Sequence, residues 1–280
     1  MPSSQRRDVL KRVGSVTVVG SLTGYIQQND TETPQQDEQP SSTTEESAVF
    51  RVVHAAPDAP DIDVYVDDRR QVTDMNFGDV SSYFTVGPGQ YRMEVTEDND
   101  RQQGLVSEEI TATAGSVTTA VVTSEPTTGT NSTVAVELLE DDLSKPVDGT
   151  ARVRLFHASP DAPPITARIT EALGEHTNTS ATASPLVAAL GFGEAATTEV
   201  SSGMQTLGLF PAAQQQSPPN STAEEGTALA EIELLLQNGG VYSVFAVGNL
   251  SPTGVVADEE FELVAVQDAV DGTRSNGARQ

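Results

Sequence analysis

The chain of 280 residues contains no cysteine. Disulfides, thiolate metal sites, a cysteine nucleophile and a lipid-bearing cysteine anchor are thereby excluded, and stability must come from packed cores. Lysine is nearly missing too, at Lys11 and Lys145 only. Positive charge of any kind is scarce: 41 acidic residues face 15 basic ones, for a formal net charge of −26. That sign opposes nucleic acid and anionic membrane. The carboxylates run through the whole chain rather than forming one tail. Such a surface suits molar salt, where the Debye length shrinks to about 3 Å, and points to a halophilic, archaeal-type source; a merely acidic, soluble protein is the alternative. A phosphate loop, a dinucleotide fingerprint and zinc-ligand spacing are also missing. The third histidine, His176, stands alone in a polar stretch.

What is present begins with Arg6-Arg7 in a charged head, followed by an apolar run over 13–26 interrupted by Gly14, Gly20 and Gly24. The combination resembles a twin-arginine export signal over 1–26. The run is shorter than the roughly 20 apolar residues a membrane span needs. A cleaved signal leads, with an uncleaved anchor and an unrelated basic tail as alternatives. Residues 27–47 are Gln, Asp, Glu, Thr, Pro and Ser without a hydrophobic period, which reads as a disordered acidic stalk.

The remainder is organised by a repeat. RVVHAAPDAPDIDVYV at 51–66 returns as RLFHASPDAPPITARI at 154–169. Phe77-Gly78-Asp79 is echoed by Phe192-Gly193-Glu194, and a Gly-containing turn at 87–90 by one at 202–205. Period-two segments at 50–54, 62–66, 80–86, 91–95, 117–122 and 134–138, separated by turn residues, predict a β-sandwich. A short helix is conceivable only at 140–143. The expected architecture is all-β, with two tandem immunoglobulin-like or transthyretin-like β-sandwich domains. They span 48–143 and 150–268, joined by a linker at 144–149 short enough for the domains to touch. Insertions at 171–184 and 212–226 read as surface loops, and 269–280 as a flexible tail.

Within the repeat, Phe50, Val52 and His54 share one strand face, as do Val153, Leu155 and His157. Both histidines thus reach the core register at a strand end. The Pro-Asp-Ala-Pro corner that follows makes Asp58 and Asp161, with loop carbonyls, their expected partners. This is first a structural histidine; a ligand contact and catalysis are the alternatives. Asp61, Asp63 and Asp67 lie opposite the apolar Ile62, Val64 and Val66. Because the second copy has Pro164, Thr166 and Arg168 there, that face reads as solvated, with a calcium site on Asp58, Asp61 and Asp63 as the alternative. His157, Ser159 and Asp161 stand too close around a proline corner to align as base, nucleophile and orienter. Acceptor sequons occur at Asn29, Asn131, Asn178, Asn220 and Asn249.

The HAAPDAPDIDVY stretch at 54–65 closely resembles a family of exported bacterial and archaeal proteins classed as domain of unknown function 4397. The second copy keeps HASPDAP at 157–163 but not the D-V-Y strand. The resemblance implies an extracellular all-β domain, often in tandem, and supplies neither an activity nor catalytic residues. The expected function is an exported, non-enzymatic cell-surface or secreted binding module for a glycan, a surface-layer component or a protein. Its candidate binding residues are His54, Asp58, Asp61, Asp63, His157 and Asp161. No cofactor is expected beyond the calcium alternative, and a weak hydrolase using His157 is the remaining one. Nucleic acid is not an expected partner, and membrane contact is expected only through an uncleaved N-terminal segment.

Overall fold

The computed structural model describes residues 47–125, 133–173, 185–212, 227–251 and 259–274. These lie within one compact unit, 44–280. The export signal, the stalk up to residue 46, both insertions in large part and four of the sequons fall outside the described residues.

The first half contributes β1 (Ala48–Ala55), β2 (Ile62–Val66), β3 (Arg69–Met75), β4 (Phe84–Val86), β5 (Gly89–Glu97), β6 (Asp100–Ala112), β7 (Val117–Ser124) and β8 (Val134–Glu140). They form two sheets, ordered β4-β1-β7-β8 and β3-β2-β5-β6. The second half contributes β9 (Thr150–His157), β10 (Ile165–Leu173), β11 (Val187–Leu190), β12 (Ala195–Ser201), β13 (Gly203–Pro211), β14 (Ala230–Leu236), β15 (Gly240–Val247), β16 (Glu262–Val270) and β17 (Thr273–Arg274). Their sheets are ordered β12-β9-β15-β16-β17 and β11-β10-β13-β14. The second order is the first one shifted by eight, with β17 added, so the repeat seen in the residues is a repeat of topology. The β1–β7 and β9–β15 pairs are parallel; the other pairs between named strands are antiparallel. The described fold is all-β.

Each pair of sheets encloses its own core. Phe50, Val52, Ile62, Val64, Met93, Val95 and Ile110 fill the first, and Leu155, Ile165, Leu207, Leu209, Leu234 and Tyr242 fill the second. A third apolar cluster joins the halves: Val53, Ala55 and Val121 against Phe156, Ala158, Phe245, Val247, Val264 and Val266. The molecule is therefore four sheets deep, with the two histidine-bearing sheets innermost. That placement explains why all eight residues of β1 and of β15 are buried. A strand with protein on both faces loses the alternation of a half-exposed one.

Four local expectations are corrected. In its described part the tail placed at 269–280 is strand: β16 runs to Val270 with Ala269 buried, and β17 pairs with it. The strand placed at 80–86 is confined to Phe84–Val86, with Val80 making an isolated bridge to Val53. Between them the Ser81 hydroxyl accepts the Val52 N–H at 2.8 Å, replacing a ladder bond with a side chain. No helix forms at 140–143: β8 continues to Glu140, and Asp141 turns into the joint between the halves. Finally, β3 and β6 are strands although their residues carry little apolar pattern. Both are edge strands with largely exposed side chains, so burial imposes no period on them.

Candidate functional site

The two echoed motifs, RxxH and Phe-Gly-Asp/Glu, meet at one corner in each half. At the end of β1, the His54 N–H donates to the Asp79 carbonyl at 3.0 Å, and the Gly78 N–H donates back to the His54 carbonyl at 2.8 Å. At the end of β9 the same pair joins His157 to Glu194 and Gly193, at 3.1 and 2.8 Å. Gly78 and Gly193 have φ of 73° and 74°, a left-handed turn that a side chain would strain. The preceding aromatic then lies edge-on to the imidazole, Phe77 at 6.1 Å from His54 and Phe192 at 6.3 Å from His157.

Both imidazoles are fully buried. The Ala56 N–H donates to His54 Nδ1 at 3.4 Å, so the proton resides on Nε2, which donates to the Pro60 carbonyl at 3.0 Å. His157 repeats this with the Ser159 N–H at 3.3 Å and the Pro163 carbonyl at 3.2 Å. The expected carboxylate partners are thus replaced by backbone. Asp58 is exposed, and Asp161 instead accepts the Leu250 and Ser251 N–H groups at 2.8 and 2.9 Å, tying the corner to the segment that follows β15. The Ser159 hydroxyl points to Asp161 at 3.4 Å, and both nitrogens of His157 are already engaged by backbone, which is not the arrangement of a base on a hydroxyl.

Burial, only partly offset by the Pro60 and Pro163 carbonyls and nearby carboxylates, lowers the pKa of both histidines below the ordinary value. In the unfolded chain they bind a proton near pH 6.5. Between that pH and the folded values the unfolded state holds more protons, so stability falls as pH drops below about 6.5. The slope reaches at most about 1.4 kcal/mol per pH unit for each histidine. Urea unfolding from pH 8 to pH 5 in 2 M KCl should show this decline, and His54→Gln should remove about half of it. Identical slopes for the two proteins would contradict the assignment.

The strand after the corner also departs from expectation. Asp63 is fully buried, not solvated. Its carboxylate accepts from Arg70 Nη1 at 3.0 Å and from the N–H groups of Asp74 and Asn99 at 3.1 and 3.3 Å. Burial works against its charge, but these donors outweigh burial and hold the pKa below the usual range. The second copy has Thr166 here, which is also buried and accepts the Ala189 N–H at 3.4 Å. Asp74 and Ala189 occupy equivalent edge-strand positions and share a left-handed φ, 51° and 53°. Residues 63 and 166 therefore hold an edge-strand irregularity in place, and a carboxylate and a hydroxyl both suffice. Asp61 is exposed. Among the described residues no three His, Cys, Asp or Glu side chains come together to hold a metal ion. Asn249, the one sequon described, has both backbone groups bonded, to Glu259 and Phe261.

Two features went unread in the sequence. The first is a buried ionic cluster between the innermost sheets. Arg51 donates to Thr119 Oγ1 at 2.8 Å in its own half and pairs with Asp268 at 2.6 Å in the other. Arg154 donates to Ser243 Oγ at 2.8 Å in its own half and pairs with Asp141 at 2.7 Å across the joint. Thr119 and Ser243 in turn donate to Asp141 and Asp268 at 2.8 and 2.7 Å. Tyr83 completes the cluster, donating to Asp141 at 3.0 Å while its ring lies 4.9 Å from the Arg51 guanidinium carbon. Burial opposes the Arg51 charge, but Asp268, Tyr83 and Asp141 together raise the pKa above its ordinary value. Only the repeat offered a clue, since Arg51 and Arg154 stand three residues before their histidines.

The second is an open polar groove of about 490 Å3 on the outer sheet of the first half, lined by Asp67, Asp68, Gln90, Tyr91, Arg92, Glu94, Arg101 and Glu109. Arg101 lies 4.7 Å from the centre of the Tyr65 ring and is held by Glu94 at 3.0 Å and Asp68 at 3.1 Å. Its side chains come from β5, from β6 and from the turn after β2, and only pairing of these strands assembles them.

Residues 48–168 match the model of the family described as Domain of unknown function (DUF4397). The matched stretch holds the first sandwich, the linker and the second histidine corner. No curated protein matches the chain. Among solved structures it is similar to the Bacillus anthracis TIE protein, at 10% identity and a TM-score of 0.20. That alignment covers 84% of this chain and 43% of the other, so the chain spans less than half of that protein's length. It is also similar to a Bacteroides eggerthii protein described as a candidate cell adhesion protein, at 11% identity and a TM-score of 0.16, over 79% of this chain and 95% of that one.

Proposed function

We propose that the protein is an exported, non-enzymatic binding module of a cell surface, with its ligand contact on the outer sheet of the first sandwich. The groove there carries the reading. Its volume falls in the range of small-ligand sites, yet its walls are hydrogen-bonding side chains rather than a hydrophobic pocket. Four carboxylates against two arginines disfavour a polyanion, as does the net charge of −26. A neutral, hydroxyl-rich ligand suits such a lining, so a glycan is the preferred class. Arg101, already fixed by Glu94, Asp68 and the Tyr65 ring, offers donors with little entropy left to lose. Export by a twin-arginine route and a halophilic setting are part of the same proposal; they rest on Arg6-Arg7 and on the spread of carboxylates.

Residues 44–280 in 2 M KCl should retain neutral oligosaccharides in a binding panel, without releasing products from them. Arg101→Ala, with folding checked by circular dichroism, should weaken retention at least about tenfold, equivalent to roughly 1.4 kcal/mol. Undiminished binding in that variant, or turnover of any panel member, would overturn the reading. Retention that appears only with added calcium would favour the cation-dependent alternative.

A further inference from the structure

The joint between the halves has a polar part and an apolar part, and the two obey different symmetries. In the polar part, Arg51, Thr119 and Asp141 occupy the positions of Arg154, Ser243 and Asp268, and each arginine crosses to the other half's aspartate. A face carrying only this pattern is complementary to itself, as in a two-fold dimer. The apolar part is not. Val53 and Val121 are paired neighbours on β1 and β7, whereas their equivalents on β9 and β15 are Phe156 and Phe245. The two phenyl rings lie 6.4 Å apart and belong to the same buried cluster as the two valines.

We propose that the two sandwiches are a matched unlike pair, in which the small valine patch of the first receives the large phenylalanine patch of the second. Two valine faces set together would leave a void, and two phenylalanine faces would overfill the space. The charge pattern is the same in either combination, so the rejection of like pairing falls to the apolar part, where Val53 and Val121 stand for Phe156 and Phe245. The partner this surface fits is therefore the other half of the same chain, which keeps a self-complementary charge pattern from linking separate chains.

The test uses the full chain in 2 M KCl. Phe156→Val/Phe245→Val and Val53→Phe/Val121→Phe should each lower the melting temperature by about 5–10 °C. The fourfold exchange should return to within about 3 °C of the parent, because a volume-conserving swap across a joint is the best tolerated change. An exchanged chain that melts no higher than the worse double variant, or fails to fold, overturns the proposal, as do two double variants within about 2 °C of the parent. Should a double variant not fold, recovery in the exchanged chain still decides in favour. As a second measurement, a protease site in the linker at 146–148 is cut in the folded protein. The halves should remain one particle containing one of each; particles of two like halves would overturn the proposal.

Discussion

Arg51→Met is expected to reduce the unfolding free energy by about 3–5 kcal/mol, the usual consequence of removing one partner from a buried ion pair. Arg51 and Asp268 are 1% and 3% exposed, so neither bulk water nor molar salt can take over the lost interaction. Asp268 would be left with the Ser243 hydroxyl as its close donor, and Thr119 would lose the Arg51 Nε–H. The combined variant Arg51→Met/Asp268→Leu should be markedly milder, because no charge is then left buried alone. Urea unfolding of the two single variants and the double variant forms a cycle whose coupling energy measures the pair. A single-variant loss below about 1 kcal/mol would mean that the cluster is an incidental contact and not what holds the halves together.

His54→Ala comes next in size, with an expected loss of about 2–4 kcal/mol. Removing the ring empties a fully buried site against Phe77 and strands two backbone groups, the Ala56 N–H and the Pro60 carbonyl. Each unsatisfied group costs about 1–3 kcal/mol, and water entering the vacated space would bring the total toward the lower end. His54→Gln should recover part of the loss, since its amide can donate and accept. The same substitutions at His157 should behave alike, through Ser159 and Pro163. The two sites share no partners, so the losses should add within about 0.5 kcal/mol. Calorimetry of the two single variants and the combined one checks both size and additivity. Glycan retention that survives His54→Ala in a folded protein would agree with a structural corner; its loss would move the ligand site to the motif.

How far the sequence reached can be judged at particular residues. His54 and His157 were legible as core residues, because alternation places them in register with Val52 and Leu155. Their bonding was half legible: of the expected partners the loop carbonyls of Pro60 and Pro163 reach the rings and the carboxylates do not, a choice that the conformation of the Pro-Asp-Ala-Pro turn makes. Asp63 was misread because a carboxylate opposite an apolar face normally meets solvent. Its edge neighbour instead presents the Asp74 N–H from a left-handed residue, and a lost ladder bond needs an acceptor. The groove residues were individually visible and collectively invisible, since Gln90, Arg101 and Glu109 converge only through the register of β5 with β6.

From the residues alone, two copies of one all-β unit were already determined, together with the strand faces that form each core and a surface rich in carboxylates. These follow from local chain geometry: a strand turns its side chains to opposite faces every residue, and prolines and glycines restrict or permit particular φ values. Only the tertiary structure decided what lies against the second face of β1 and β15. A residue at the even or odd position carries the same local signal whether water or another sheet covers it. Nothing in the local pattern around Arg51, Asp141, Arg154 and Asp268 shows that two sheets close over them. Once covered, their energies are set by desolvation and mutual geometry, neither of which is a property of sequence spacing.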